Sequence, residues 1–248
     1  MKNNLLTLFI QLLVLINFLL SINIDKKFTL IDSLYNQGNY HQSFIEIKRI
    51  YNQDKNNVNV VFRMARSIFL KAQHETDIKK QSKYYYKGFD YAKKAIKIDP
   101  YSSYANFWYA AYLGRIGELE GNKQAILNSY EVKEYALKAI ELNPDYNLPY
   151  HMMGRWHYEL ANLSELEKIV ASIVYTKLPE ASYSSAVSFF KKAIQLQSNE
   201  IRHHFWLAKT YYSMNEYELA NKEFKIVISI KAIDDEEKMM QSESKKYL

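Results

Sequence analysis

A short segment that recurs along the chain constrains the fold more than any other feature. It begins with large apolar residues, has a small or β-branched residue near its middle, and usually ends in a turn-forming pair. The copies are "FIEIKRIYNQ" (Phe44 to Gln53), "YAKKAIKIDP" (Tyr91 to Pro100), "YALKAIELNP" (Tyr135 to Pro144), "FFKKAIQLQS" (Phe189 to Ser198) and "EFKIVISIKA" (Glu223 to Ala232). Repeats at such intervals are typical of stacked helical hairpins.

The spacing of the repeat identifies its type. The equivalent residues Ile50, Ala95, Ala139, Ala193 and Val227 are 45, 44, 54 and 34 positions apart. A period of 34 is that of tetratricopeptide hairpins, and the longer intervals indicate hairpins whose first helix or inter-helix turn is extended. We therefore predict an all-α, tetratricopeptide-like α-solenoid of about five hairpins, with lengthened middle hairpins and a C-terminal capping helix from Asp234 onward.

Composition supports a helical protein. Six Gly and four Pro in 248 residues leave little material for the turns of an all-β fold. The absence of Cys excludes disulfides and thiolate chemistry in this chain. The formal net charge of +6 favours anionic partners without choosing among them.

The N-terminal segment differs from the rest of the chain. Leu5 to Ile22 is an 18-residue, mostly apolar run after a single Lys. It predicts either a signal peptide or a membrane anchor within residues 1–25, and a repeat domain over residues 26–248. The corresponding location is export to the periplasm or medium in a bacterium, or membrane anchoring. The alternative for a eukaryotic chain is the cytoplasmic face of a membrane or association with microtubules.

The interval of 54 residues contains an insertion with its own pattern. Apolar residues recur at helical spacing between Leu163 and Ile173, which predicts additional helix. Pro179 is expected to end it, and Ser182 to cap the helix that follows.

This inserted hairpin resembles the corresponding hairpin of the regulator of microtubule dynamics family, which includes a protein tyrosine phosphatase-interacting tether. The matching elements are Gly154-Arg155-Trp156, Ala161-x-Leu163-Ser164, Lys168, Ala171, Pro179, Ser182-Tyr183, Ala186 and Phe190-x-Lys192-Ala193. The resemblance implies a helical-repeat adaptor without catalysis. Some members of the family associate with microtubules, and one is a membrane-anchored tether whose repeat domain binds phospholipid.

The first helices of stacked hairpins line one side of a solenoid, where aromatic and basic residues recur at equivalent positions. The predicted ligand-binding groove consists of Phe62, Arg66, Phe107, His151, Arg155, Tyr158, Arg202, Phe205, Lys209 and Tyr212. Cations beside aromatic rings suit an acidic peptide or an anionic phospholipid. Packing of the rings between hairpins, with solvated cations, is the simpler interpretation.

Other functions have weaker support. "SKYYYKGFDYAKKAIK" (Ser82 to Lys97) interleaves aromatic residues with Lys, but its apolar residues lie on one helical face and most Lys on the other. We interpret it as a solvated helix face and expect no nucleic-acid binding. The six His do not have the spacing of metal ligands, and no catalytic or phosphate-binding motif is present, so we predict no metal, no cofactor and no enzyme.

The sequence thus predicts a non-enzymatic scaffold that binds a protein or an acidic peptide, with microtubules as a candidate partner in a eukaryote. A phospholipid-binding or lipid-transfer module is the alternative.

Overall fold

The structure is a computed structural model and describes residues 24–165, 167–169 and 179–248. All regular secondary structure in these residues is helical. The chain divides into two compact units, residues 1–53 and residues 54–248, which are described separately. The described residues contain no helix that is both long and apolar enough to cross a membrane.

The first unit contains the first predicted hairpin. Helix α1 covers residues 24–36 and helix α2 covers Tyr40–Gln53. Gly38, with a φ of 76°, allows the tight turn between them. The hydroxyl of Ser43 donates a hydrogen bond of 3.0 Å to the carbonyl oxygen of Ile31, which joins the two helices where both residues are buried.

The described residues of the second unit form four hairpins and a final helix. The hairpins are α3 (Val58–Gln73) with α4 (Ile78–Ile98), α5 (Ser103–Glu120) with α6 (Asn122–Leu142), α7 (Asn147–Ala161) with α8 (Tyr183–Leu196), and α9 (Ile201–Ser213) with α10 (Tyr217–Ser229). Helix α11 (Asp235–Ser244) follows. The predicted all-α hairpin architecture is confirmed.

The helices begin where short polar side chains can accept hydrogen bonds from the first turn. Ser102 accepts from the backbone N–H of Ala105, and Ser182 accepts from that of Ser185. Asp234 starts α11 in the same way, through the N–H of Glu237. The predicted cap at Ser182 is therefore confirmed.

The middle hairpins are longer than the last one, as predicted. Helices α4 and α6 have 21 residues each, whereas α10 has 13. Their first helices, α3 and α5, have 16 and 18 residues against 13 in α9. More of the extra length lies in the second helix of each hairpin than in the first helix or the turn. The additional helix predicted between Leu163 and Ile173 lies largely outside the described residues.

Glycines allow large side chains of neighbouring helices to pack closely, both within a hairpin and between successive hairpins. A Cβ atom built on Gly154 of α7 comes within 2.6 Å of the Phe190 ring of α8. Gly88 of α4 faces the fully buried ring of Tyr112 in α5, whose hydroxyl donates a 2.6 Å hydrogen bond to the carbonyl oxygen of Ala65. These contacts join successive helices into one core.

Helix α11 caps the last hairpin. The side-chain amide of Gln241 donates to the carbonyl oxygens of Val227 and Ile230, near the C-terminal end of α10. The ring of Tyr247, which follows α11, stacks on Phe224 with a centroid separation of 4.6 Å. The predicted capping role of this segment is confirmed.

Candidate basic and aromatic binding surfaces

The first helices of the four hairpins in the second unit form a continuous surface, here called the inner face. Helix α3 contacts α5, α5 contacts α7, and α7 contacts α9. All ten residues of the predicted groove belong to these four helices. The helical repeat therefore places them on neighbouring elements, as their equivalent positions in the sequence require.

Most of the aromatic residues predicted for the groove are buried. Phe62, Phe107, Tyr158 and Phe205 are all less than 9% exposed. Phe62 stacks on Tyr104 with a centroid separation of 4.8 Å, which joins the first helices of two hairpins. These rings stabilise the packing of successive hairpins, whereas Tyr212, which is 43% exposed, remains accessible.

His151 belongs to a buried polar contact between α7 and α9. Its Nδ1 lies 3.0 Å from Nδ1 of the fully buried His203, whose Nε2 lies 3.1 Å from the side-chain oxygen of Asn147. Burial lowers the pKa of both imidazoles, to about 3 in His203, and nearby positive charge from Arg202 has the same effect. Both rings are therefore neutral at pH 7.

Three of the four basic residues in the predicted groove have acidic neighbours. Arg155 pairs with Glu159 at 2.8 Å, and Arg202 pairs with Glu200 at 2.7 Å. Lys209 donates to Glu243 of α11 at 3.0 Å. Arg66 is buried, with 8% of its surface exposed.

Trp206 of α9 is the residue that joins Arg155 and Lys209 into one cluster. The Arg155 guanidinium carbon lies 3.7 Å from the centre of the indole, and Lys209 Nζ lies 5.8 Å from it. The Tyr158 ring meets the indole edge-on at 5.3 Å. Such stacking holds a guanidinium in a fixed plane, from which it can recognise a carboxylate.

The sequence did not identify Trp206, Glu159 or Glu243 as partners of these cations. The four-residue spacing between Arg155 and Glu159 on one helix is a signal that could have revealed the first pair. Glu243 is 34 positions from Lys209, and no local pattern connects them.

A second basic surface lies on the outward side of α4. This helix carries seven Lys and one Asp, whereas α6, which has the same length and the equivalent place in the next hairpin, carries three Lys and three Glu. The exposed side of α4 includes Lys79, Lys80, Lys83, Lys87 and Lys97. No ion pair to these five lysines occurs among the described residues.

The lysines of α4 lie opposite its packing side. The buried residues of this helix are Tyr85, Gly88, Ala92 and Ala95. Lys79, Lys83 and Lys87 are four residues apart and so share one face, where their like charges repel. The interpretation of this segment as a solvated helix face agrees with its exposure.

Comparison with known proteins identifies the family. Residues 28–248 match the family described as Regulator of microtubule dynamics protein 1-3. The chain belongs to this family. Regulator of microtubule dynamics protein 1 of Mus musculus is 29% identical over 225 residues, which is 88% of this chain and 74% of the relative. Regulator of microtubule dynamics protein 2 of Bos taurus is 27% identical over 227 residues, which is 91% of this chain and 55% of the relative.

Solved structures support the fold. A tetratricopeptide-repeat protein of Thermus thermophilus matches with a TM-score of 0.60 and 13% sequence identity, over 90% of this chain and 98% of its own. PilF of Pseudomonas aeruginosa matches with a TM-score of 0.51 and 14% identity, over 90% of this chain and 82% of its own. The second unit is thus a tetratricopeptide-like α-solenoid.

The localisation predicted from Leu5 to Ile22 is corrected by the family match. The relatives above are mammalian proteins named for microtubule dynamics, whereas the prediction was export or membrane anchoring. Residues 5–22 themselves lie outside the described residues. An apolar run measures hydrophobicity alone, which does not distinguish a membrane segment from one buried against protein. The prediction of export or membrane anchoring is therefore wrong.

Proposed function

We propose that the protein is a non-enzymatic helical-repeat scaffold that binds an acidic protein surface, and that it acts in the regulation of microtubule dynamics. The observation that carries this proposal is the row of five exposed lysines on α4, Lys79, Lys80, Lys83, Lys87 and Lys97, which form no ion pair with the described residues. Family membership supports a role connected with microtubules, which makes the microtubule the first partner to test.

The packing of the hairpin does not depend on the positive charge of α4. Its buried residues are small or aromatic, and its lysines extend into solvent away from them. Like charges four residues apart cost a helix about 0.2–0.5 kcal/mol per pair. The equivalent helix α6 has no net charge, so the hairpin architecture does not require this arrangement. A partner with opposite charge would relieve the repulsion.

The distribution of side chains also favours a protein as the partner. Lys93 is paired with Asp90 at 2.8 Å, and Tyr86 donates a 2.6 Å hydrogen bond to Glu120, so the lysine row has polar and aromatic neighbours in fixed positions. Lysine recognises carboxylates through charge and flexible hydrogen bonding without requiring one geometry. Such a surface attracts an acidic partner and raises the rate of association.

Charge reversal on α4 tests the proposal. We expect the wild-type protein to pellet with microtubules at low salt. The Lys83→Glu/Lys87→Glu variant should bind with an affinity at least about tenfold lower, because charge complementarity is lost. Co-sedimentation with stabilised microtubules measures both affinities. The binding should also weaken as salt increases from 50 to about 200 mM, because exposed charges are screened.

The matched control is Lys222→Glu/Lys225→Glu on α10. This variant has the same change of net charge on an exposed second helix, but α10 carries two Lys and two Glu. It should retain most of the affinity. Equal losses in the two variants would mean that net charge alone determines binding, and no pelleting of the wild type at low salt would contradict the microtubule proposal.

A further inference from the structure

Helix α11 reaches further along the inner face than capping of the last hairpin requires. The side-chain amide of Gln73, at the end of α3, donates a hydrogen bond to the Glu236 carboxylate. Residues 73 and 236 are separated in sequence by almost the whole second unit. The C-terminal helix therefore joins the first helix of this unit to its last hairpin.

The charge of Glu236 acts on other residues near this contact. Burial raises the pKa of Tyr85, and the negative charge of Glu236 adds to the effect. Burial acts to lower the pKa of Arg115, but the carboxylates of Glu118 and Glu236 outweigh it and raise the pKa. Glu236 is thus hydrogen-bonded to α3, and its charge also acts on Tyr85 of α4 and Arg115 of α5.

The other end of α11 contacts the basic and aromatic cluster. Glu243 accepts a 3.0 Å hydrogen bond from Lys209, whose ammonium lies 5.8 Å from the ring centres of both Phe205 and Trp206. Tyr247 meets the ring of Tyr212 edge-on at 4.8 Å. Two of the residues predicted to bind a ligand, Lys209 and Tyr212, therefore have contacts from this segment.

The charge of α11 complements that of the inner face. From Asp234 to Ser244 the sequence has five acidic residues and a single Lys. Glu236 and Glu243 are seven residues apart, which places them on one side of the helix. The acidic segment thus contacts Lys209 and Tyr212, two of the ten residues that the sequence assigned to binding of an acidic peptide.

We propose that α11 is an intramolecular ligand of the inner face, and that an acidic helical segment of a partner protein binds there by displacing it. This inference rests on the proposed function as a scaffold, but it concerns a surface distinct from α4. Displacement lowers the apparent affinity of the partner in proportion to the small fraction of molecules in which α11 is released.

The contacts of α11 fall into two sets that can be separated by mutation. Gln241 and Tyr247 hold the segment to α10, where they satisfy carbonyl groups and cover the Phe224 ring. Glu236 and Glu243 hold it to α3 and α9. The Glu236→Ala/Glu243→Ala variant removes the second set alone, and alanine preserves the helix.

The test uses the full chain and a synthetic peptide of residues 234–248 as the probe. In Glu236→Ala/Glu243→Ala we expect faster hydrogen exchange in α11 and about tenfold tighter binding of the peptide than in the wild type. Adding Lys209→Glu should abolish the gain. Thermal unfolding of each variant shows that the solenoid remains folded.

Asp235→Ala is the matched control, because this carboxylate pairs with Lys238 on α11 itself and is exposed. It should leave exchange and peptide affinity unchanged. Unchanged exchange in the double variant, or peptide binding no tighter than in the wild type, overturns the proposal. Neither outcome of the microtubule experiment with the α4 variant affects this result, so the two proposals fail separately.

Discussion

Replacing Gly88 with alanine should destabilise the protein by about 3 kcal/mol, at the upper end of the usual cost of overpacking a core. The new Cβ atom would lie 1.9 Å from the hydroxyl oxygen of Tyr112 and 2.3 Å from the ring carbon that bears it. The Tyr112 ring is held in place, because its hydroxyl donates a hydrogen bond to the Ala65 carbonyl oxygen and the Phe69 ring packs edge-on against the Tyr112 ring at 5.2 Å. Urea unfolding measures the loss.

Gly114→Ala is the control, and its effect on stability should have the opposite sign. A Cβ atom there meets only Val132 Cγ2 at 4.0 Å. Alanine is favoured over glycine within a helix by roughly 0.5–1 kcal/mol, so Gly114→Ala should stabilise the protein by that amount. If both alanine variants were equally stable, the contact between Gly88 and Tyr112 would not limit the approach of α4 and α5.

The crossing residues show how much of the fold was predictable. The repeat has small residues between large ones, and at Gly88 and Gly154 the structure packs an aromatic ring of a neighbouring helix against the glycine. The location of the extra length was less predictable. The interval between repeats gives the number of extra residues but not the helix that contains them. The apolar spacing within α4 and α6 is that of any helix, so it does not mark where these helices are longer.

The binding surface was predictable only in part. Equivalent positions correctly placed Arg155 and Lys209 on neighbouring first helices, because the repeat fixes which face each residue shares. Whether those cations have acidic partners depends on residues from another hairpin or from α11, as with Glu243. Periodicity contains no information on such pairs, since their separation in sequence is set by the path of the whole chain.

The histidine pair should make the second unit sensitive to acid. The side-chain oxygen of Asn147 can only accept a hydrogen bond, so His203 carries its hydrogen on Nε2 and its Nδ1 accepts from Nδ1–H of His151. A proton added to Nδ1 of His203 would place two N–H groups against each other at 3.0 Å. This contact therefore opposes protonation of His203, whereas burial opposes that of His151 by lowering its pKa.

The direction of the pH dependence follows from the two states. In the unfolded chain both histidines take up protons below about pH 6.5, while burial keeps their pKa values lower in the folded protein, at about 3 for His203. The unfolded state thus binds more protons, and stability falls as the pH decreases from about 6.5. Because the folded pKa of His203 is about 3, this residue contributes a loss of about 2 kcal/mol between pH 7 and pH 5, and His151 adds a loss in the same direction.

A third histidine acts in the opposite direction. Burial alone would lower the pKa of His204, but hydrogen bonds to Glu223 at 2.6 Å and to the Ser198 carbonyl outweigh it and raise the pKa. Its contribution to stability is present at acidic pH and is lost as the pH rises through its folded pKa, so it offsets part of the loss. The net expectation is still a decrease, because burial also lowers the pKa of His157, to about 4, so that three histidines act against one.

Urea unfolding at pH 7 and pH 5 measures the difference. The His151→Phe/His203→Leu variant should show a smaller pH dependence than the wild type, whatever its stability at pH 7, because neither replacement can bind a proton, and the contribution of His157 should remain. His41→Gln, at an exposed histidine of the first unit, should leave the dependence unchanged. A wild-type stability that stays level or rises on going to pH 5 would show that His151 and His203 take up protons in the folded state, and that their contact is not the barrier to protonation inferred from its geometry.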